Sequence, residues 1–453
     1  MSRFLLFLAR SLFLLVLCAV VTAAFKSRIP ASPVNVLRLQ NVANVYRSSF
    51  CIPDSLCADS ILHVVSRDIR KMLKDQRLKG GASVAISKDG KVVFARSFGW
   101  ADNSDSIPLS NQNTLRVASV SKLVTAVAIM HLVEEGRLSL DQKVFGPSGI
   151  LNDDKYCAIR DKRLLKISVK NLLEHSAGWA SQQSGDAMFS PHRIAFEEGH
   201  LLPLSMDDIL RFTVCRHLDF DPGTHFAYSN LGYAILGEVI SKVSHVPYED
   251  YVRSHVLLPL GISSARVGFS HRQDAFPLEP LYYEPDTNYR TPDYADASVL
   301  SRRPYGGSDI NTLGAAGGWL FSATDLLKLL LSIDGFPSVP DQLPESDVRL
   351  LSTPSSVGSP LGWRSVSGGL WWRSGTLAGT SAAAFRRPDG ICFVIILNCS
   401  NDLGINLASL IGGTLSDAVN RVGAWPDSDL LADDVDWSAY KNGVGARLAS
   451  PRR

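Results

Sequence analysis

The stretch RVASVSKLVTAVAIMHLVEEGRL, residues 116–138, constrains this chain more than any other. After Lys122 it runs through Leu123, Val124, Ala126, Val127, Ile129, Met130, Leu132 and Val133, apolar almost all the way round. A helix of that kind has no solvent face, so the pattern predicts a helix buried inside a large domain. Ser119 and Lys122 stand three apart at its start. Side chains at that spacing share one helix face and can touch. A serine hydroxyl is a poor nucleophile until a neighbouring base takes its proton. A lysine does that only where its surroundings favour the neutral amine, as desolvation on an apolar helix does. A charged residue one turn into such a helix needs a reason, and catalysis supplies one.

Spacing alone is weak evidence, because S-x-x-K should occur about twice by chance in a chain of this length. A second copy, Ser438 and Lys441, does lie in WSAYKNGVG, overlapping a Y-x-N (Tyr440, Asn442) and a K-x-G (Lys441, Gly443). Groups that must converge on one substrate cannot do so from adjacent positions of one segment. The tail copy is read as coincidence.

At 453 residues the chain is long enough for one large domain or two to three smaller ones. A hydrophobic fraction of 45% with 20% charged residues is that of a globular protein with a substantial core. The net charge of +2 and the absence of a basic cluster give no case for nucleic acid as a partner. The N-terminal MSRFLLFLARSLFLLVLCAVVTAAFKSR has Arg3 and Arg10 but no acid, an apolar run from Leu12 to Val21, then Thr22, Ala23 and Ala24. Residues 1–24 read as a secretory signal peptide, placing the mature protein outside the cell or in a secretory lumen. An uncleaved anchor over residues 4–25 is the alternative, and only then is a membrane a partner. Arg10 opposes that reading, whereas Lys26 and Arg28 favour it. A mitochondrial presequence is a third option.

Of the seven cysteines, Cys18 lies in the leader, leaving Cys51, Cys57, Cys157, Cys215, Cys392 and Cys399. In an oxidising compartment some would pair, Cys51 with Cys57 first, while the others could equally be buried free thiols. No zinc pattern appears, and no cofactor is implied. The sequon Asn398-Cys399-Ser400 follows an apolar strand and is expected to be too buried for modification.

Residues 25–58 read as a linker or arm, and 59–77 as an amphipathic helix. GASVAISKDGKVVFARSFG gives two strands about Asp89-Gly90, a strong hairpin signal. Helices are predicted over 168–175, 205–215, 229–244, 247–257, 323–333 and 403–421, with 279–310 a long surface loop. Strands return as GLWWRSG, TSAAAFRRPDG and ICFVIILNCS. Strands at both ends enclosing a helical stretch imply an α+β domain over 59–422. Its antiparallel sheet comes from 59–115 and 360–422, with a mostly helical insert over 116–335. Residues 423–453 read as a loose tail.

Two further segments turn the helix signal into a hypothesis. FDPGTHFAYSNLGYAILGEVI brings Tyr228 and Asn230 after an Asp221-Pro222-Gly223 turn. A tyrosine hydroxyl can shuttle a proton to a leaving group, and an amide can hold the nucleophile, the lysine or the substrate. WWRSGTLAGTSAAAF places Arg373, Ser374, Gly375 and Thr376 on a strand. Gly375 would let an acyl group lie against it, and the Thr376 N–H with the Ser119 N–H would form an oxyanion hole.

In SVSK at 119–122, ISVKNLLEHSAGW at 167–179, PGTHFAYSN at 222–230, AGGWLFSATDL at 316–326 and WWRSGTLAGT at 371–380, the chain resembles the serine β-lactamase and penicillin-binding family. It is most similar to class C β-lactamases and their esterase and D-amino-acid peptidase relatives. The resemblance implies a β-lactamase/transpeptidase-like fold, Ser119 as acylated nucleophile, Lys122 as general base or shuttle, Tyr228 as partner base and acid, and Asn230 as a positioning residue. His175 is expected to be structural. The family's third motif offers Lys or His where this chain has Arg373. An arginine keeps the charge, can clamp a carboxylate, and cannot act as an acid or base near neutral pH.

The expected function is a serine hydrolase, an esterase or peptidase with acyl transfer open, acting on a small ester or amide that Arg373 would favour as an anion. A non-catalytic descendant using the fold for binding or assembly is the alternative, and loss of Lys122 or Tyr228 would have favoured it. Protein from its native host is expected to begin near Phe25, which intact mass or N-terminal sequencing decides. Membrane-bound protein whose mass includes Met1 to Ala24 would establish the anchor instead.

Overall fold

The computed structural model describes residues 63–427 and 429–431. The leader, the arm, the Cys51–Cys57 pair and the Ser438–Lys441 segment lie outside the described residues. Helix α1 (His63–Asp75) precedes the hairpin of β1 (Gly81–Lys88) and β2 (Lys91–Asp102). Asp89 and Gly90 both take positive φ, 49° and 82°, the conformation a tight two-residue turn needs. A short β3 (Ile107–Pro108) edges β2, and β4 (Leu115–Arg116) leads into helix α2 (Ser121–Glu134).

The helical stretch holds α3 (Val169–Leu173), α4 (Pro191–Glu198), α5 (Met206–Val214), α6 (Asn230–Ser244) and α7 (Tyr248–Val252). β5 (Arg266–Val267), β6 (Arg290–Pro292), β7 (Leu300–Arg302), β8 (Trp319–Phe321), α8 (Ala323–Leu331) and α9 (Glu345–Leu351) follow. The chain closes with β9 (Ser365–Ser367), β10 (Leu370–Leu377), β11 (Thr380–Arg386), β12 (Ile391–Leu397) and α10 (Ile405–Asn420).

The main sheet runs β3-β2-β1-β12-β11-β10-β9 and is antiparallel throughout. Its seam is β12, which pairs Ile395 with Val84 on one side and with Ala383 on the other. The two chain ends therefore meet at mid-sheet. ICFVIIL reads as an unbroken apolar run because both faces are covered. Ile391, Phe393, Ile395 and Leu397 pack with α1 and α10, through Val65, Ile69, Leu407 and Ile411. Cys392, Val394 and Ile396 join the core that holds α2 and α8. Nine of the eleven residues from Leu123 to Val133 are apolar, too many for a stripe with one side in water, and Leu123, Val124, Ala126, Val127, Ile129, Met130 and Leu132 are all buried.

Several expectations need correction. Residues 279–310 are not a plain surface loop: they carry the β6–β7 hairpin, and Glu279, Glu284 and Asp293 are buried. Their charge is absorbed locally, since Arg303 holds Glu284, and His271 and Ser301 hold Asp293. The tail is anchored at its start, where Leu430 N–H donates to Val92 O at 2.8 Å and Leu431 is buried. Cys157, Cys215, Cys392 and Cys399 are all free thiols. Asn398 is buried as expected, its amide bonded to Gly81 N, Trp100 O and Leu281 O.

A second, small sheet, β4-β8-β5, fixes the entry to α2. Arg116 in β4 donates to Pro304 O at 2.6 Å and Phe269 O at 2.8 Å, and lies 4.2 Å over the Tyr282 ring. Its Nε is 3.4 Å from Glu279, with side-chain exposures of 2% and 1%. Removing one partner of such a pair leaves a buried charge uncompensated. Arg116→Met is expected to lower unfolding free energy by about 3–5 kcal/mol in denaturant titrations. The double variant Arg116→Met/Glu279→Gln should recover part of that loss.

Candidate active site

Ser119 sits on a 3₁₀ turn, Ala118–Val120, that runs directly into α2. Ala118 holds φ at +47°, a left-handed conformation that costs a residue with a Cβ about 1 kcal/mol or more. The surroundings over-determine it. Val117 N–H donates to Trp319 O at 3.0 Å, Ser121 Oγ donates to Ala118 O at 2.7 Å, and Trp319 N–H donates back to Ser121 Oγ at 3.2 Å. Strand β10 lies against the same turn at Gly375. A Cβ there would meet Val117 O at 2.3 Å and Ser119 N at 2.7 Å, so only glycine fits.

Lys122 is fully enclosed at 0% exposure, and its ammonium donates to Ser119 Oγ at 3.2 Å, Asn230 Oδ1 at 2.8 Å and Ala316 O at 2.5 Å. Those acceptors use all its protons. Burial, aided by Arg373, brings its pKa down to about 8 against the pull of Tyr228 and Asp186. Ala316 belongs to the wide turn Gly314–Gly318, which gives the AGGW segment a chemical role that composition does not reveal.

Tyr228 reaches the other side of the nucleophile, its hydroxyl donating to Ser119 Oγ at 2.7 Å. The Asp221-Pro222-Gly223 turn delivers it, strapped by Gly223 N–H to Ser176 O and Ala227 N–H to His175 O, both at 2.8 Å. Ser229 then caps α6, its Oγ accepting from Gly232 N–H at 3.0 Å. Burial pushes the Tyr228 phenol up, but Lys122 and Arg373 outweigh it and bring it down to about 8. His175 stacks on Tyr228 at 4.6 Å, and its Nδ1 accepts from Ser229 N–H at 3.2 Å. Burial and then the charges of Arg373, Lys122 and Arg364 hold its ring neutral. It supports Tyr228 without touching Ser119.

Arg373 departs from expectation. It does not face a substrate: only 1% of it is exposed. Its Nε donates to Ser119 O at 2.9 Å, and its two terminal nitrogens donate to Trp363 O at 3.4 Å and to Tyr228 OH at 3.2 Å. The guanidinium fits there because those oxygens come from three separate segments, as a five-donor fork requires. Alternation along β10 puts Arg373 and Gly375 on the face toward Ser119, and Ser374 and Thr376 on the other. Thr376 Oγ1 is buried without a partner. What Ser374 and Thr376 offer at the nucleophile is therefore backbone.

One participant gave no signal in the sequence. Asp186 accepts from Asn230 Nδ2 at 2.8 Å. A carboxylate only accepts, so it fixes which end of the amide faces Lys122. Beside it lies a cleft of about 290 Å³ whose lining includes Trp179, Phe212, Tyr228 and Leu231 together with Arg193, Glu197 and Arg216.

Lys122 and Tyr228 titrate as a coupled pair, flanked by Arg373, Asp186 and the neutral His175. Loss of the pair's first proton frees a base, so activity should rise with pH toward about 8. Asp186 opposes that loss by favouring the charged amine. Asp186→Asn is therefore expected to move the acid limb of kcat/KM to lower pH, by less than about one unit. It should also lower the plateau, and an unshifted limb would assign Asp186 a structural role only.

A family model described as Beta-lactamase matches residues 65–408. A putative fimbrial assembly protein FimD of Dichelobacter nodosus is 26% identical over 348 residues, 74% of this chain and 79% of that protein. Among solved structures, an octameric penicillin-binding protein homologue from Pyrococcus abyssi superposes with a TM-score of 0.57 at 26% identity, covering 77% of both chains. The fold is also that of a D-amino acid amidase from Ochrobactrum anthropi, complexed with L-phenylalanine amide, at a TM-score of 0.60 and 19% identity over 80% of this chain and 99% of that one. With the family model spanning most of the chain and a serine held between lysine and tyrosine, the protein belongs to the beta-lactamase family of serine hydrolases.

Proposed function

We propose that the protein cleaves a small ester or amide through an acyl-Ser119 intermediate, with water as acceptor. The observation that carries this reading is that one hydroxyl, Ser119 Oγ, receives hydrogen bonds from both an enclosed lysine and a tyrosine. Ser119 Oγ attacks the carbonyl carbon while its proton passes to the Lys122–Tyr228 pair. The bond to the leaving atom breaks as Tyr228 returns a proton to that atom. Water then attacks the acyl carbon and gives up a proton to the same pair; the bond from that carbon to Ser119 Oγ breaks as the pair passes a proton to Oγ, releasing the acid and a free Ser119 hydroxyl. The oxyanion would lie between the Ser119 and Thr376 N–H groups.

The cleft beside Tyr228 is about 290 Å³, which suits a side chain of phenyl size rather than a polymer segment. Its walls join apolar Trp179, Phe212 and Leu231 to charged Asp186, Arg193, Glu197 and Arg216, which suits an acyl group with an apolar body and a polar end. The fold shared with an amidase and a penicillin-binding protein homologue supports the reaction class. The leader's basic start, apolar run and small residues support action outside the cytoplasm.

A fluorophosphonate probe is expected to label Ser119, and Ser119→Ala to abolish both labelling and turnover of a small activated ester, while Ser438→Ala changes neither. Lys122→Arg should lose activity about as fully as Lys122→Ala, by about 100-fold or more, because arginine keeps the charge but cannot yield a proton. Labelling that survives Ser119→Ala would sink the mechanism, and a near-wild-type Lys122→Arg would make the lysine's role electrostatic.

A further inference from the structure

The wide turn Gly314–Gly318 lays two successive carbonyls against α2. Ala316 O accepts from Lys122 at 2.5 Å, and Ala315 O accepts from Thr125 Oγ1 at 2.6 Å. Lys122 and Thr125 stand three apart on one helix face, so one short backbone segment meets both. Thr125 is fully buried, and only hydrogen bonds offset the loss of water from its hydroxyl.

Donors and acceptors fix the direction of the chain that continues from it. The Trp319 indole N–H can only donate, and it donates to Tyr248 Oη at 2.9 Å. Two oxygens 2.6 Å apart need a proton between them, and a carbonyl has none, so the Thr125 proton lies on Ala315 O. The Tyr248 hydroxyl, 2.8 Å from Thr125 Oγ1, therefore donates to it. Burial pushes the Tyr248 phenol up, which keeps that proton in place. The order runs from Trp319 to Tyr248 to Thr125 to Ala315 O. Trp319 also holds the nucleophile's turn through its backbone, accepting from Val117 N–H and donating to Ser121 Oγ. From the other side α6 wedges the wide turn, since a Cβ on Gly237 would meet that of Ala315 at 2.8 Å.

We propose that Thr125 is a positioning residue of the active site: through Ala315 it holds the wide turn so that the Ala316 carbonyl meets Lys122 and keeps the amine aimed at Ser119. This inference rests on the hydrolytic reading of the site, and its test separates the two. The charged and titratable groups facing Lys122 are Tyr228 and Tyr233, Arg373 from β10, and Asp186 behind Asn230. Arg364 and the neutral His175 lie about the Tyr228 ring. Thr125 bonds none of these among the described residues; its partners are Ala315 O, Tyr248 and Ser121 O. Replacing it by valine alters no charge and reaches the lysine through the turn.

Thr125→Val keeps the shape and removes the hydroxyl, whereas Thr125→Ser keeps the hydroxyl. On 4-nitrophenyl acetate, Thr125→Val is expected to lose about tenfold or more in kcat/KM. Losing a carbonyl acceptor disfavours the charged amine, so the acid limb of kcat/KM should move to lower pH. The shift should be about 0.5–1 pH unit, the scale of one hydrogen bond. Thr125→Ser should keep the wild-type limb and most of the activity. Tyr248→Phe should shift the limb the same way, and adding it to Thr125→Val should cost little more, because both act through one carbonyl. Valine and serine variants that behave alike, a loss of kcat/KM with an unmoved limb, or losses that multiply overturn the assignment. If Thr125→Val fails to fold, the Tyr248→Phe limb decides alone. Lys122 can also be titrated without turnover, through the carbon-13 shift of its ε-carbon, identified as the resonance missing from Lys122→Arg protein. Its midpoint should fall in Thr125→Val and stay in place in Thr125→Ser. An unmoved midpoint overturns the inference whether or not any ester is cleaved. A midpoint that shifts in protein that cleaves no ester upholds the positioning role and overturns the hydrolytic reading alone.

Discussion

One enclosed ammonium governs this site. Taking a cation out of water costs several kcal/mol even after the protein relaxes, and Lys122 is taken out completely. A carboxylate partner would offset that cost and also hold the proton in place. Here the acceptors are neutral oxygens of Ser119, Asn230 and Ala316. They satisfy the N–H donors without adding the negative charge that would raise the pKa, so desolvation dominates and the amine can discharge near pH 8. The apolar girth of α2 is what keeps water away. Ordinary packing and base strength thus have one cause.

Arg373 reinforces this. A permanent cation beside Lys122 and Tyr228 lowers both, the lysine by repulsion and the phenol by attraction. A lysine or histidine in its place could change protonation with the pair, whereas arginine cannot. Its charge is constant across the working range, and all titration is left to Lys122 and Tyr228. The same guanidinium holds the Ser119 carbonyl, so it steadies the turn whose left-handed Ala118 would otherwise relax.

The periodic parts of this structure were legible in the chain. The girth of α2, the double-faced run of β12 and the Asp89-Gly90 turn each follow from local rules, and SVSK and YSN point to the residues now found around Ser119 Oγ. The resemblance also put Arg373 on a strand beside the nucleophile, where the family's third motif lies. It could not say how deep. Depth depends on Trp363 and the Ser119 carbonyl, which come from other segments. Asp186 lies in a loop with no period to read. The Pro191–Glu198 helix carried a proline start and a left-handed Gly199 end, signals that its exposed Phe196 obscured. In 279–310 the polar composition suggested solvent, but the charges there are paired inward.

The site also depends on closure of distant parts of the chain. Ser119 Oγ meets Lys122 three residues away, yet Tyr228 lies 109 residues on, the Ala316 carbonyl 194 from Lys122, and Arg373 254 from the Ser119 carbonyl. Loop-closure entropy must be overcome before such contacts contribute, so they form together with the whole domain rather than with α2 alone. Ser119 and Lys122 in an unassembled helix would be a solvated serine beside an ordinary lysine. Water around the amine would return its pKa to the usual range, and the hydroxyl would lose its base. Nucleophilicity here is therefore a property of the assembled fold. Local opening of the helical stretch that carries Tyr228 and Asn230 would remove two of the hydrogen bonds that define the site, at Ser119 Oγ and at Lys122, while leaving the β1–β12 seam in place.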